Sequence, residues 1–133
     1  MMKTAILCVD DEPIILNSLR KQISQYFGKK HLYECAESVA EAWEVIEELD
    51  EDGIRILVIV SDWLMPGVKG DEFLIQVHHR FPHTVKIMLT GQADEKAIAK
   101  AKQEANLYSI IYKPWDINTL IEAIELGIEK ADG

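Results

Sequence analysis

Ile56-Leu57-Val58-Ile59-Val60-Ser61-Asp62 carries the clearest architectural signal in the chain. Five consecutive apolar residues leave no alternation between an inner and an outer face, which marks a strand covered on both sides. A carboxylate follows at its end. Thr4–Val9, His31–Ala36, Val85–Leu89 and Ser109–Tyr112 are similar short runs rich in Ile, Val, Leu and Tyr, so with Ile56–Ser61 the chain carries five predicted strands.

Segments with helical spacing separate them. The first places Leu16, Leu19, Ile23 and Phe27 on one stripe, with Pro13 in its first turn and Gly28 just past its end. The second opens on Ser38-Val39-Ala40-Glu41, a capping box, and runs along Val39, Trp43, Ile46 and Leu49 to Asp52-Gly53. Phe73, Leu74, Val77 and Phe81 mark a third helix before Pro82. Asp116 caps a fifth, which carries Ile117, Leu120, Ile121, Ile124 and Ile128. The fourth, Ala93 to Ala105, offers only Ile98 as a large apolar residue and is expected to be helical but weakly anchored. Strict alternation of strand and helix predicts an α/β fold, a parallel sheet with helices on both faces.

The 133 residues, 48% hydrophobic and 28% charged, suit a single domain over 1–133. No apolar run approaches the ~20 residues of a membrane helix, and Met1-Met2-Lys3 leads straight into the first strand without a signal peptide, so a cytoplasmic location is expected. Cys8 and Cys35 sit in apolar runs without CxxC spacing and read as buried reduced thiols rather than a disulfide or zinc site. A formal charge of −9 argues against clamping a nucleic-acid backbone.

The polar residues that interrupt this pattern share a location. Asp10-Asp11-Glu12 follows the first strand, Asp62 the third, Thr90 the fourth and Lys113 the fifth. In an open α/β sheet these carboxyl ends lie on one edge, where ligands bind. Carboxylates gathered there repel one another unless a cation neutralises them, and oxygen-only ligands on a small site favour Mg2+. Asp11 and Asp62 are the expected direct ligands. Lys113 and Thr90 suit the equatorial oxygens of a phosphoryl group in transfer, and one carboxylate can act as nucleophile.

Asp10-Asp11, Asp62-Trp63-Leu64-Met65-Pro66-Gly67, Thr90-Gly91 and Lys113-Pro114, in that order and at the ends of different strands, resemble the signature of response-regulator receiver domains of two-component signalling. The resemblance covers nearly the whole chain. It implies a doubly wound, flavodoxin-like sheet of order 2-1-3-4-5 with five helices, and phosphorylation of Asp62 by a histidine kinase or phosphotransfer protein. Asp11, Asp62 and the Leu64 carbonyl match the metal ligands, and Asp10 matches the acid that holds a metal-bound water. Lys113 matches the phosphate-pairing lysine and Thr90 the switch hydroxyl. Gly91 matches the small residue beside the acceptor, and Pro114 is expected after a cis peptide. Such a domain switches an output domain or downstream partner. A homodimer through the fourth helix, fifth strand and fifth helix is in keeping with relatives. It is a signalling switch rather than a conventional enzyme.

The sequence departs from that pattern in places. Ile110 stands where the family usually has Tyr or Phe. Alternation puts Tyr108, Ile110 and Tyr112 on one face, where the tyrosines are expected to pack. An apolar Leu64, beside the variable Gln92, cannot orient a hydrolytic water, which predicts a comparatively long-lived phosphoryl-aspartate. Trp43 is expected in the core; Trp63 fits packing or a ligand platform equally. His78, His79 and His83 read as solvated rather than as a metal cluster, and the acidic run from Glu47 to Asp52 as a solvated helix end rather than a calcium loop. Lys113-Pro114-Trp115 resembles receivers joined to cyclic-dinucleotide phosphodiesterases or found in hybrid sensors.

Three rival readings remain at this level. A haloacid-dehalogenase-type phosphatase would need a DxDx motif on the first strand and a cap domain. A nucleotide-binding module would need a glycine-rich loop in place of Asp10-Asp11-Glu12. A degenerate receiver acting as a scaffold would lack some of the key side chains. With Ala131-Asp132-Gly133 ending the sequence, it is read as a stand-alone regulator or an excised receiver.

Overall fold

The computed structural model describes residues 3–91 and 95–132. Strands β1 (Thr4–Val9), β2 (Leu32–Ala36), β3 (Arg55–Asp62), β4 (Val85–Thr90) and β5 (Ser109–Tyr112) alternate with helices α1 (Pro13–Phe27), α2 (Val39–Glu51), α3 (Gly70–Arg80), α4 (Glu95–Glu104) and α5 (Ile117–Asp132). All strand pairings are parallel and the order is β2-β1-β3-β4-β5, so the chain reverses direction across the sheet at β1. Asp62 and Thr90, expected just beyond their strands, are the last residues within them.

Two apolar clusters flank the sheet. Leu7, Val9, Ile59 and Met88 point to the side covered by α2, α3 and α4. Ile6, Val58, Val60, Ile87 and Leu89 point to α1 and α5. β3 is therefore buried on both faces, as its unbroken apolar run requires.

The helix ends behave as their sequences dictate. Pro13 occupies the first turn of α1, and Gly28 closes that helix at φ 65°, donating its N–H to Ser24 O. Ser38 accepts the Glu41 N–H at 3.1 Å, and Asp116 accepts the Thr119 N–H at 3.1 Å.

Several side chains depart from expectation. Trp43 is only half-buried; its ring meets Phe73 edge-on at 5.7 Å and lies 5.0 Å from the Arg80 guanidinium, while Ala42 takes the core position. Ile117, before the first buried turn of α5, is half exposed. α4 is anchored by Ala97 and Ala101 with Ala105 just beyond, a stripe of i, i+4 methyls, and Ile98 is only half-buried. Ala93 lies outside the described residues.

Lys86 was not singled out by its sequence, yet it is fully buried in β4, with Nζ 2.9 Å from Nδ1 of His78 on α3. His78 thus leaves the solvated group, while His79 and His83 stay exposed. Burial, with Lys130 adding repulsion, pushes the Lys86 amine down to about 8 from 10.5. The folded state therefore binds this proton less well than the unfolded chain, and stability rises with pH between those values. Lys86→Met, which keeps the stem and removes the charge, is expected to be more stable by about 1–3 kcal/mol at neutral pH. Denaturant midpoints test this; a variant no more stable than the parent would contradict it.

Candidate functional site

The carboxyl ends of β1, β3, β4 and β5 form one edge, and the reversal at β1 opens a cleft there. It measures about 520 Å³ and is lined by Asp11, Asp62, Leu64, Thr90, Gly91 and Lys113, among others. Asp10 lies beneath, fully buried; its N–H donates to Ala36 O at 3.1 Å, which holds the turn after β1 onto the end of β2. Residues separated by up to 103 positions converge: Lys113 Nζ donates to Asp10 Oδ2 at 2.8 Å and stands 3.4 Å from Asp62 Oδ1. The Lys113–Pro114 peptide is cis. Lys113 N–H donates to Thr90 O at 3.0 Å, which ties the lysine to the end of β4.

One carboxylate oxygen from each of Asp10, Asp11 and Asp62 lies within 4.8 Å of the others. Burial pushes the Asp62 carboxyl up to about 6, with Asp10 adding repulsion and Lys113 offsetting part of both. Burial opposes the charge on Lys113, but its hydrogen bond to Asp10 and attraction to both carboxylates hold it above its ordinary value. Three carboxylates against one ammonium leave a surplus of negative charge that suits a hard divalent cation. Both oxygens of Asp10 already accept N–H donors, from Glu12 N at 2.9 Å and from Lys113. Asp11, which is exposed, and Asp62 keep carboxylate oxygens that could ligate a cation.

The backbone around Asp62 is held by residues the sequence reading passed over. Gly70 N–H donates to Trp63 O at 2.7 Å, and a Cβ on Gly70 would lie 1.9 Å from Asp62 O. The start of α3 therefore packs directly on the Asp62 carbonyl. Trp63 is buried, and its Nε1–H donates to Oδ1 of the buried Asp71 at 3.0 Å, with Lys69 Nζ 5.1 Å from the ring. Trp63 is a packing residue here, not an open platform. A glycine eight residues and an acid nine residues beyond Asp62 give little sequence signal by themselves.

Ile110 packs against the cluster on the α2–α4 side. Tyr108 does not share its face: it precedes β5, packs toward α1 and α5, and has Lys130 Nζ 5.1 Å from its ring. Tyr112 is 57% exposed and so is not a packing residue. The alternation rule failed because Tyr108 lies outside the strand to which it was applied. Leu64, 44% exposed, sits at the cleft rim. Among the described residues, a Cβ added to Gly91 would meet only Lys113 Cβ, at 3.9 Å. Gln92 lies outside the described residues. Both cysteines are free thiols, Cys8 buried and Cys35 half-buried. No helix among the described residues is long and apolar enough to cross a membrane.

The hydrogenase transcriptional regulatory protein HoxA of Cupriavidus necator is 32% identical over 127 residues, covering 96% of this chain but 24% of its own length. The chain thus spans about a quarter of that curated relative. Among solved structures, the signal receiver domain of an HD domain-containing protein from Pseudomonas fluorescens Pf-5 superposes with a TM-score of 0.86 at 27% identity, covering 99% of this chain and 91% of that one. The beryllofluoride-activated NtrC4 receiver domain dimer gives 0.82 at 27% identity, over 96% and 98% of the two chains. The family model of the response regulator receiver domain matches residues 6–125. With five parallel strands in the order 2-1-3-4-5 and an acidic cleft at their carboxyl ends, this chain belongs to the response regulator receiver domain family.

Proposed function

We propose that this domain accepts a phosphoryl group on Asp62 from a phosphohistidine of a histidine kinase or phosphotransfer protein, and passes the change to an output domain or downstream partner. The observation that carries the reading is the Lys113 ammonium set between Asp10 and Asp62, 2.8 and 3.4 Å from their oxygens, at the mouth of a cleft that Asp11, Leu64 and Thr90 also line. An Asp62 carboxyl near 6 is mostly ionised at neutral pH and can attack phosphorus. The phosphorus–nitrogen bond to the donor breaks as the phosphorus–oxygen bond forms, and the donor imidazole leaves. The Lys113 ammonium turns from the carboxylates to a phosphoryl oxygen, and the Thr90 hydroxyl donates to another. Mg2+, held by Asp11, Asp62 and the Leu64 carbonyl with Asp10 orienting a bound water, would neutralise the clustered charge and receive phosphoryl oxygens.

The domain is a signalling switch and turns over no separate metabolite. Residues 1–133 act as one receiver unit, which we place in the cytoplasm. α4, β5 and α5 form its responsive face and a surface for homodimerisation, a reading supported by the thin alanine anchorage of α4 and the likeness to the NtrC4 dimer. The test is incubation with acetyl phosphate and Mg2+, followed by peptide mapping by mass spectrometry: the phosphoryl group is expected on Asp62 alone. Uptake elsewhere, or none with or without Mg2+, would overturn the reading.

Leu64 offers no hydrogen bond to an attacking water. Leu64→Asn supplies one, and a single transition-state hydrogen bond of about 1.4 kcal/mol corresponds to roughly tenfold faster loss of the phosphoryl group. Equal decay rates would remove the role assigned to this side chain.

A further inference from the structure

The sequence separates Cys8 and Cys35 by a whole helix, but the β1–β2 register pairs them directly, Cys8 opposite Cys35. Directly paired residues of neighbouring parallel strands share a face, and both side chains lie on the α1–α5 side. Neighbouring strands lie about 4.8 Å apart, within the roughly 4.4–6.8 Å between Cα atoms that a disulfide spans. Their Cβ atoms, held near the same spacing, are wider apart than the roughly 3.8 Å a relaxed disulfide prefers, so a bond here would be strained and easily reduced. Cys35 is half-buried and reachable, whereas Cys8 is 3% exposed and can meet little but its neighbour. Burial pushes the Cys35 thiol up, the Arg20 guanidinium on α1 offsets part of this, and the Glu34 and Glu41 carboxylates add to it.

We propose that Cys8 and Cys35 are a reversible oxidation site, closed to a cross-strand disulfide by hydroperoxides. The Cys35 thiolate attacks the outer oxygen of the peroxide; the O–O bond breaks, leaving a sulfenic acid on Cys35, and the departing alkoxide or hydroxide takes up the thiol proton. Cys8 sulfur then attacks Cys35 sulfur, the S–O bond breaks, and hydroxide leaves with the Cys8 proton as water. Two thiols are oxidised by two electrons and one peroxide is reduced. The bond closes one rung below the hydrogen bond from Asp10 N–H to Ala36 O, so it clamps the sheet edge directly beneath the acidic pair.

The test uses the full chain with hydrogen peroxide and, separately, with diamide, whose azo bond accepts the same two electrons and two protons. Intact mass is expected to fall by two hydrogens, non-reducing digestion to yield one species joining the Cys8 and Cys35 peptides, and dithiothreitol to reverse both. Cys35→Ser, at a half-exposed position, should abolish the link while near-ultraviolet circular dichroism stays native. Failure of diamide to join the two peptides, or peroxide adding oxygen to Cys35 while Cys8 stays a free thiol, would overturn the proposal. Neither readout depends on phosphoryl chemistry, so a failure here leaves the reading of Asp62 standing.

Discussion

Asp62→Asn is expected to lose phosphoryl uptake entirely and, without Mg2+, to be more stable than the parent. The first effect follows from removing the nucleophilic oxygen. The second follows from the cost of ionising a buried carboxyl beside Asp10. Asp62 is raised from 3.8 to about 6, so the folded state holds its proton more tightly than the unfolded chain does. Stability is greatest below the lower value, falls as pH rises through that window, and carries the full penalty above it. The amide resembles the neutral acid and escapes that penalty, a gain of about 1–3 kcal/mol at neutral pH. Added Mg2+ should narrow the difference, since a cation stabilises the carboxylate and not the amide. Urea midpoints with and without Mg2+ measure both halves; a variant that is less stable in the absence of Mg2+ contradicts the electrostatic account.

Gly70→Ala should cost about 3 kcal/mol or more. A methyl group there would stand 1.9 Å from Asp62 O and 2.8 Å from both Asp62 C and Trp63 Cα. These are backbone atoms at the end of β3, so no side-chain rotation relieves the clash. Either α3 backs away, breaking the 2.7 Å bond from Gly70 N–H to Trp63 O, or Asp62 is pushed from its place beside Lys113. Both outcomes weaken phosphoryl uptake along with stability. Uptake and thermal midpoint should therefore fall together, unlike Asp62→Asn, where they move in opposite directions. A loss of less than about 1 kcal/mol would mean that the helix start yields more readily than this packing implies.

The parts of the fold legible in the sequence were those written in local chemistry. Ile56–Val60 can be comfortable only when covered on both faces, and Ser38, Gly28 and Asp116 mark helix ends through hydrogen bonds made within a few residues. The acidic cleft was legible because polar residues at successive strand ends have one edge to share. Contacts fixed by how distant elements meet were not. Nothing in the sequence singles out Lys86 until α3 brings His78 over it, or Gly70 until α3 is seated on the Asp62 carbonyl. Trp43 has the spacing of a core residue, yet Ala42 is the one the core admits. The Cys8–Cys35 pairing needed the strand register, which spacing alone does not specify.

Ala97, Ala101 and Ala105 give α4 an unusual mechanical character. Leucines at these positions would interlock with the sheet like teeth in a gear, so that any travel meant climbing over a neighbour. Methyl groups form a smooth bearing: short axial glides and small rolls leave the buried area almost unchanged. On the reading proposed above, α4 is the element of the α4–β5–α5 face whose displacement would cost least packing.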